Sequence, residues 1–392
     1  MDPLTWALIC CLGAVIYANV GYPILIGVLA LLTPSRRATP SARPQVTLII
    51  AAHNERAVIA AKIRNTLALD YPREARSVVV VDDGSTDDTA EIAAREGNTQ
   101  VKVLRRPYRE GKGAALNHGA SVAIGEVLVF SDANALCRRD ALAALAGVFS
   151  DRRIGLATGH KATPGKGGAV GEGDAAYWSY ESFLKRSETR LGSTVAVTGE
   201  MLGVRRDLFE EFPRGVINDD AFLCMSVLRS GYRVVYVPEA VSVKGTSATH
   251  RDEVLRRRRV AAGRWQLMCR LPWWPWRRPL VVFELISHKF LRLLAPFFLV
   301  AAFALNAILL LRGGAPSVVW ACFAIQAGVY MLALAGTAQG HEAQGNPAAR
   351  VAAYFVAGNV ATGLGLFTYV TGRATPLWAR ARRSEPIPFD QR

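Results

Sequence analysis

Between positions 4 and 32 the chain reads LTWALICCLGAVIYANVGYPILIGVLALL, 29 residues without one charge. A helix needs about 20 apolar residues to cross a hydrocarbon core, so this stretch is a membrane span or a long signal sequence. No clean small-residue cleavage site follows it; Pro34, Arg36 and Arg37 come next. That flank predicts a retained anchor whose C-terminal end faces the cytosol, because basic residues stay on the cytosolic side. Three further apolar stretches, 290–311, 318–338 and 351–370, lie near the other end, each roughly a bilayer thick. Ahead of them LPWWPWRRP sets Trp273, Trp274 and Trp276 beside Arg277 and Arg278, the composition of an interfacial segment. A mean hydropathy of +0.18 agrees with partial residence in lipid. One span before the hydrophilic middle and three after it would put the basic tail, with Arg380, Arg382 and Arg383, outside. Under the positive-inside rule, either that tail is an exception or one segment does not cross.

The net charge of +15 suits nucleic acid, anionic lipid or a polyanionic substrate, and the four arginines at 256–259 do not choose among them. No nucleic-acid partner is expected, because aromatic-interleaved basic surfaces and recognised motifs are lacking. A transporter would need ionisable residues along a path inside the spans, and the apolar stretches hold almost none. Cys10, Cys11, Cys137, Cys224, Cys269 and Cys322 are scattered without a Cys-x-x-Cys pair, which indicates neither a disulfide framework nor a zinc site and fits a reducing compartment.

From Pro44 to about Arg270, short β-branched runs alternate with helical stretches, the pattern of an α/β domain with a largely parallel sheet. Strands are predicted at 46–52, 77–81, 101–104, 126–130, 194–198 and 233–237. The expected layout is an anchor at 1–35, the α/β domain at 44–250, interfacial helices at 251–289, spans at 290–372 and a basic tail at 373–392. The Gly/Pro-rich segment 163–173 is the best candidate for a mobile loop.

In such sheets ligands bind outside the carboxyl ends of the strands, and those ends are polar here. His53, Asn54 and Glu55 follow the first strand and Asp82 and Asp83 the second. Two adjacent acids at the mouth of a VVVV strand pack poorly unless they bind something, although Asp-Gly-Ser-Thr-Asp is also turn chemistry. Asp132 and Asn134, two apart at a strand end, point the same way and offer the oxygen ligands that Mg²⁺ or Mn²⁺ accepts while bridging a diphosphate. A capped turn is the ordinary alternative. Lys112 lies in Arg109-Glu110-Gly111-Lys112-Gly113, where glycines admit a phosphate and the cation meets its charge; the P-loop spacing is missing, and a solvated turn lysine is the alternative. Asp219 and Asp220 open a predicted helix. The macrodipole favours carboxylates there, so one of the pair could cap while the other acts as general base toward an attacking hydroxyl.

Taken in order, VTLIIAAHNE, VVVVDDGSTDDT, REGKGAALNHG, VLVFSDANA, VTGEMLGVRRDLF, INDDAFLCMSVLRSGYRVVYVPEA and RRRRVAAGRWQ resemble the family 2 glycosyltransferases. The likeness is greatest to their membrane synthases of cellulose, hyaluronan, chitin oligosaccharide and poly-N-acetylglucosamine, and it covers about 45–265 together with the membrane layout. The resemblance implies a GT-A domain and a UDP-sugar donor bound with Mg²⁺ or Mn²⁺. It implies that Asp82 and Asp83, with the neighbouring His53, Asn54 and Glu55, serve the donor, that Asp132 and Asn134 hold the metal, and that Lys112 lies near the pyrophosphate. Asp220 falls in the slot of the catalytic base, with Asp219 before it, and Thr198, Gly199 and Glu200 fall where the acceptor is received. Arg264 and Trp265 would bind pyrophosphate and stack on a sugar.

Two departures matter. The metal motif is commonly Asp-x-Asp, whereas Asn134 stands here in the second place; an amide oxygen ligates without charge. The Gln-x-x-Arg-Trp motif of processive synthases has Ala261 in the Gln place, which puts processivity in question. The function expected is an inverting, divalent-metal-dependent transferase in the plasma or inner membrane, its catalytic domain cytosolic, extending a polysaccharide. The alternative is a single addition to a lipid-linked acceptor.

Overall fold

The uncharged N-terminal stretch folds as α1 (Pro3–Ile16), one π-helical turn (Tyr17–Gly21) and α2 (Tyr22–Leu32), continuous over 30 residues. In this computed structural model the described residues are 2–34, 43–162, 169–244, 250–338, 346–375 and 377. The expected mobile loop at 163–173 falls partly outside them; its last residues already belong to a helix. The tail arginines at 380, 382 and 383 also lie outside.

VTLIIAA forms β1 (Val46–Ala52), buried along its whole length between β2 (Arg76–Asp82) and β4 (Val127–Asp132), parallel to both. Alternate side chains feed opposite faces, as a period of two requires. Ile49 and Ala51 pack with Val79, Val81, Leu128 and Phe130, while Leu48 and Ile50 pack with Val78, Val80, Val127 and Val129. Adding β3 (Val101–Arg105), β5 (Ala135–Cys137), β6 (Ile154–Ala162), β7 (Leu202–Arg205) and β8 (Arg233–Lys244) gives one mixed sheet in the order β3-β2-β1-β4-β7-β6-β8-β5. β7 runs antiparallel to β4 and β6, and β5 to β8; the other pairings are parallel. Helices α3 (Ile59–Leu67), α4 (Thr89–Gly97), α5 (Lys112–Ser121), α6 (Ala141–Gly147), α7 (Ala169–Leu191) and α8 (Asp219–Arg229) connect the strands.

The strand expected at 194–198 is absent. Thr194 Oγ1 accepts from Ala196 N at 3.1 Å and donates to Glu188 Oε2 at 2.7 Å, so local side-chain bonds replace a ladder. The strand of that region is β7. β6 escaped the sequence reading because Gly155, Gly159, His160 and Lys161 break its apolar pattern.

The helix expected to begin its span at 290 runs unbroken from α10 (Pro279–Glu284) through a π-helical turn (Leu285–Phe290) into α11 (Leu291–Leu311). Three of its basic residues find partners on α7: His288 Nδ1 meets Glu188 Oε1 at 2.6 Å, and Lys289 and Arg292 reach Glu181 at 3.2 and 2.6 Å. α7 also holds the N-terminal helix. Tyr22 Oη donates to Glu188 Oε1 at 2.8 Å, and Arg190 Nε donates to Thr33 O at 2.7 Å. α12 (Ser317–Ala338) and α13 (Pro347–Val370) follow. Four helices, Pro3–Leu32, Pro279–Leu311, Ser317–Thr337 and Pro347–Val370, are long and apolar enough to cross a membrane.

α9 (His250–Cys269) ties the α/β domain to α13. Trp265 Nε1 donates to Thr362 O at 3.2 Å, and Arg258 Nε to Thr368 Oγ1. A Cβ added to Gly365 would lie 2.5 Å from that of Ala261, a small-against-small helix contact. A glutamine at 261 would have no room in that contact, which accounts for the alanine there.

Candidate active site

Asp83, at the end of β2, is buried and fully engaged. Its carboxylate accepts from Gly111 N at 2.7 Å, Glu110 N at 3.1 Å and Arg106 Nη1 at 3.1 Å. His53 Nδ1 donates to the Asp83 carbonyl at 2.8 Å. Burial pushes the carboxyls of Asp82 and Asp83 up, against those hydrogen bonds. Between these groups is a small cleft lined by Ala52, His53, Asp83, Arg109, Gly111 and Lys112, among others. Asp82 turns instead to Ser85, whose N–H it accepts at 3.3 Å. Asn54 accepts from Thr86 N at 2.8 Å, and the Glu55 N–H donates to Thr89 Oγ1 at 2.8 Å; these two knit the first strand end to the second.

Lys112 joins this cleft to a second group of acids. Its Nζ lies 2.8 Å from Asp132 Oδ1 at the end of β4 and 3.0 Å from Asp219 Oδ2 at the start of α8. Lys244, the last residue of β8, takes the other oxygen of Asp132 at 2.7 Å. Burial works against the charged Asp132, but the two ammonium ions outweigh it and hold its carboxyl well below the usual range. Asp220 differs. Its Oδ1 accepts from Ala221 N at 2.8 Å, and among the described residues no cation forms an ion pair with it. Burial first and the Asp219 charge second push its carboxyl up to about 6, Lys112 opposing. A Cβ added to Gly199 would lie 3.3 Å from Lys112 Nζ and 3.7 Å from Asp220 Cβ. Gly199 thus lies directly against these two groups, and a larger side chain there would press on them.

The donor set around Asp132 suits a divalent ion that takes most of its ligands from a diphosphate. Among the described residues no group of three or more His, Cys, Asp or Glu could hold a metal unaided, and Mg²⁺ commonly sits on one or two carboxylates plus substrate phosphates. Asp132 already carries two point charges on its oxygens, which match the charge of such an ion. Asn134 stands in the turn after β4, two residues on. Thr198 and Glu200 flank Gly199: Thr198 N donates to Thr158 Oγ1 at 3.0 Å, and Glu200 pairs with Lys161 at 3.3 Å.

Arg264 and Trp265 are not part of this constellation. Trp265 is buried, edge-on to Phe297 with ring centres 6.0 Å apart, and Arg264 hydrogen-bonds the Tyr177 hydroxyl. A cation of α9 that does reach the acids is Arg259, within electrostatic range of Asp219, Asp220 and Asp132 and donating to Ile217 O at 3.1 Å. Gln266 holds the same loop from both sides, Oε1 accepting from Ile217 N at 3.1 Å and Nε2 donating to Gly215 O at 2.9 Å. Neither residue stood out in the sequence, where Arg259 is one of four consecutive arginines. Lys244 was hidden because Pro238 ends the apolar run that signals β8, whereas the strand passes the proline through a register shift.

An α/β sheet of this order, with acids and a bridging lysine converging at its strand ends, is the architecture of a nucleotide-sugar transferase domain of the GT-A type. Residues 47–212 match Glycosyl transferase family 2, and the chain carries a domain of that family. It is 32% identical over 172 residues to a beta-monoglucosyldiacylglycerol synthase of Nostoc sp., covering 43% of this chain and 37% of that protein. To a poly-beta-1,6-N-acetyl-D-glucosamine synthase of Staphylococcus aureus it is 28% identical over 203 residues, 50% of this chain and 48% of that one. The match thus spans less than half the length of either relative. Among solved structures, a mannosyltransferase from Pyrobaculum calidifontis, in complex with GDP-Man and Mn²⁺, superposes with a TM-score of 0.71 over 94% of this chain and 99% of its own, at 24% identity. That likeness establishes the fold.

Proposed function

We propose that the chain is a membrane-bound inverting glycosyltransferase that moves a sugar from a UDP-sugar to an acceptor hydroxyl, its catalytic domain on the cytosolic side. The observation that carries this reading is Asp220, an acid poised near neutrality beside a lysine that gathers Asp132 and Asp219. Asp220 takes the proton of the attacking hydroxyl, and direct displacement turns an α-linked donor into a β-linkage. Asp83, His53 and the Gly111 backbone line the nucleoside end, while Lys112 and Arg259 face the charge that develops on the departing diphosphate. When bound at Asp132 with Asn134, Mg²⁺ or Mn²⁺ supplies further charge to that leaving group.

The sequence leads one to expect a growing polysaccharide as acceptor, but the burial of Trp265 favours the alternative, a single addition to a lipid acceptor. The stacking platform associated with processive synthesis is packed into the helix bundle instead. The Nostoc relative, whose name describes a glycolipid product, supports the same choice. Purified full-length protein given radiolabelled UDP-glucose, UDP-N-acetylglucosamine or UDP-glucuronate, with membrane lipids and Mg²⁺ or Mn²⁺, is expected to yield UDP and a lipid bearing one sugar, and to stop on chelation. Polymeric product would refute single addition, and no UDP release from any donor would refute the transferase reading.

Gly199 supplies a finer check. A valine there places carbons against Lys112 Nζ and Asp220, so Gly199→Val is expected to raise the acceptor KM and lower kcat, with UDP affinity little changed. An unaltered acceptor KM would remove Gly199 from the acceptor site.

A further inference from the structure

Beyond Glu200, where α7 lies on β6 and β8, two buried donors have nothing to donate to. Lys185 is 1% exposed, yet its Nζ has no hydrogen-bond partner. The ammonium sits 4.5 Å from the ring centre of Tyr236 and 5.9 Å from that of Trp178. On the same Trp178 ring, at 4.4 Å, lies Lys161 Nζ, and the buried Trp178 Nε1 is likewise without a partner. Other buried lysines in the domain are satisfied. Lys62 donates to Ser131 Oγ at 2.7 Å and Ala135 O at 2.6 Å, and Lys112 holds two acids. Aromatic faces offset part of the Lys185 charge but leave its N–H groups unused.

An ammonium with three donors and an indole with one, gathered around one ring, call for a ligand that only accepts. An oxyanion meets that description. Burial lowers the Lys185 amine to about 8, with Lys289 and Lys161 adding to the shift and Glu181 and Glu200 opposing it. The cluster also lies where the domain meets its helical anchors. Phe183, two residues before Lys185, closes on Gly27 of the N-terminal helix, where an added Cβ would fall 2.8 Å from Phe183 Cζ. Lys289 belongs to the helix Pro279–Leu311. Basic pockets against membrane helices are places where anionic headgroups bind. Toward the acids, Lys161 pairs with Glu200 at 3.3 Å, and Gly199 abuts Asp220.

We propose that Lys185, Lys161 and Trp178 form a binding site for a phosphate group, presented by the headgroup of an anionic lipid or as free phosphate. Where the lipid is the source, it is the sugar acceptor, its phosphate held at Lys185 and its hydroxyl offered to Asp220. That assignment as acceptor rests on the transferase reading; the anion site does not.

The test is the thermal midpoint of the full chain in neutral detergent, titrated with lysophosphatidic acid, with lysophosphatidylcholine and with inorganic phosphate. A ligand bound only by the folded state raises the midpoint. Wild type is expected to be stabilised by lysophosphatidic acid and not by lysophosphatidylcholine, and Lys185→Met to lose most of that shift. Lys161→Gln, which keeps Lys185, is expected to lose part of it and guards against a folding defect in the first variant. A shift with inorganic phosphate equal to that with the lipid keeps the anion site and assigns it to free phosphate. Equal shifts in wild type and both variants, or none in wild type, overturn the proposal. UDP binding measured on the same samples separates the two readings: its absence refutes the transferase while the lipid-dependent shift still reports on the anion site.

Discussion

Asp220→Asn is expected to lower transfer by about 10²–10⁴-fold, the range of a positioned general base, while UDP binding stays measurable. The amide keeps the oxygen that accepts from Ala221 N, so the start of α8 retains its hydrogen bond and the loss reports on proton transfer. The pH profile supplies the second half of the test. The Asp220 carboxyl lies at about 6, raised by burial and then by Asp219, and only its deprotonated form accepts a proton. Wild-type kcat/KM should therefore fall as pH drops through about 6 and level off above it. In the variant that acid limb should vanish from whatever rate remains. Wild-type turnover in Asp220→Asn would refute the assignment.

The sequence singled out this acid because a helix start and a motif order both pointed at it. The same logic located Asp83, Asp132 and Lys112, each directly after or between strands whose β-branched runs are easy to see. It failed where a residue's role depends on which helix face meets which neighbour. Arg259 and Arg264 lie on one basic helix, five residues apart, and their spacing does not say which turns toward the acids. The structure turns Arg259 there and sends Arg264 to Tyr177, because Ala261 is committed to Gly365 of α13. Helix α13 thus sets the rotation of α9. Lys185 was equally invisible, as one basic residue on an amphipathic helix whose burial arises only when α7 meets β8.

That dependence extends to the loop before the acids. Arg259 and Gln266 hold Ile217 and Gly215, and Asn218 Nδ2 donates to Val260 O at 2.9 Å. A Cβ on Gly263 would strike the Asn218 side chain at 2.4 Å. Helix α9 is therefore a splint between α13 and the loop that aims Asp219 and Asp220, so the placement of these two acids relies on the docking of a helix long enough to span a membrane.

Lys112→Met is expected to produce the second large effect, on rate and stability together. Lys112 holds one oxygen each of Asp132 and Asp219, with these side chains 12%, 15% and 18% exposed. Removing one partner of a buried ion pair costs about 3–5 kcal/mol, a large share of the roughly 5–15 kcal/mol of a typical domain. Asp132 keeps Lys244 at 2.7 Å, which favours the lower end. A depressed thermal midpoint is therefore expected, and the kinetics must be read well below it. There kcat/KM should fall by about 10²–10³-fold, as when a charge-stabilising group facing a leaving group is lost, with donor affinity reduced as well. Because Lys112 lowers the Asp220 carboxyl, its removal should also move the acid limb of the residual activity to higher pH. Lys112→Arg, which keeps the charge but crowds Gly199, should recover stability more fully than rate. If Lys112→Met proves less stable yet keeps wild-type kcat/KM and an unmoved pH profile, the lysine is a strut between two acids, and the diphosphate must be neutralised by Arg259 and the metal.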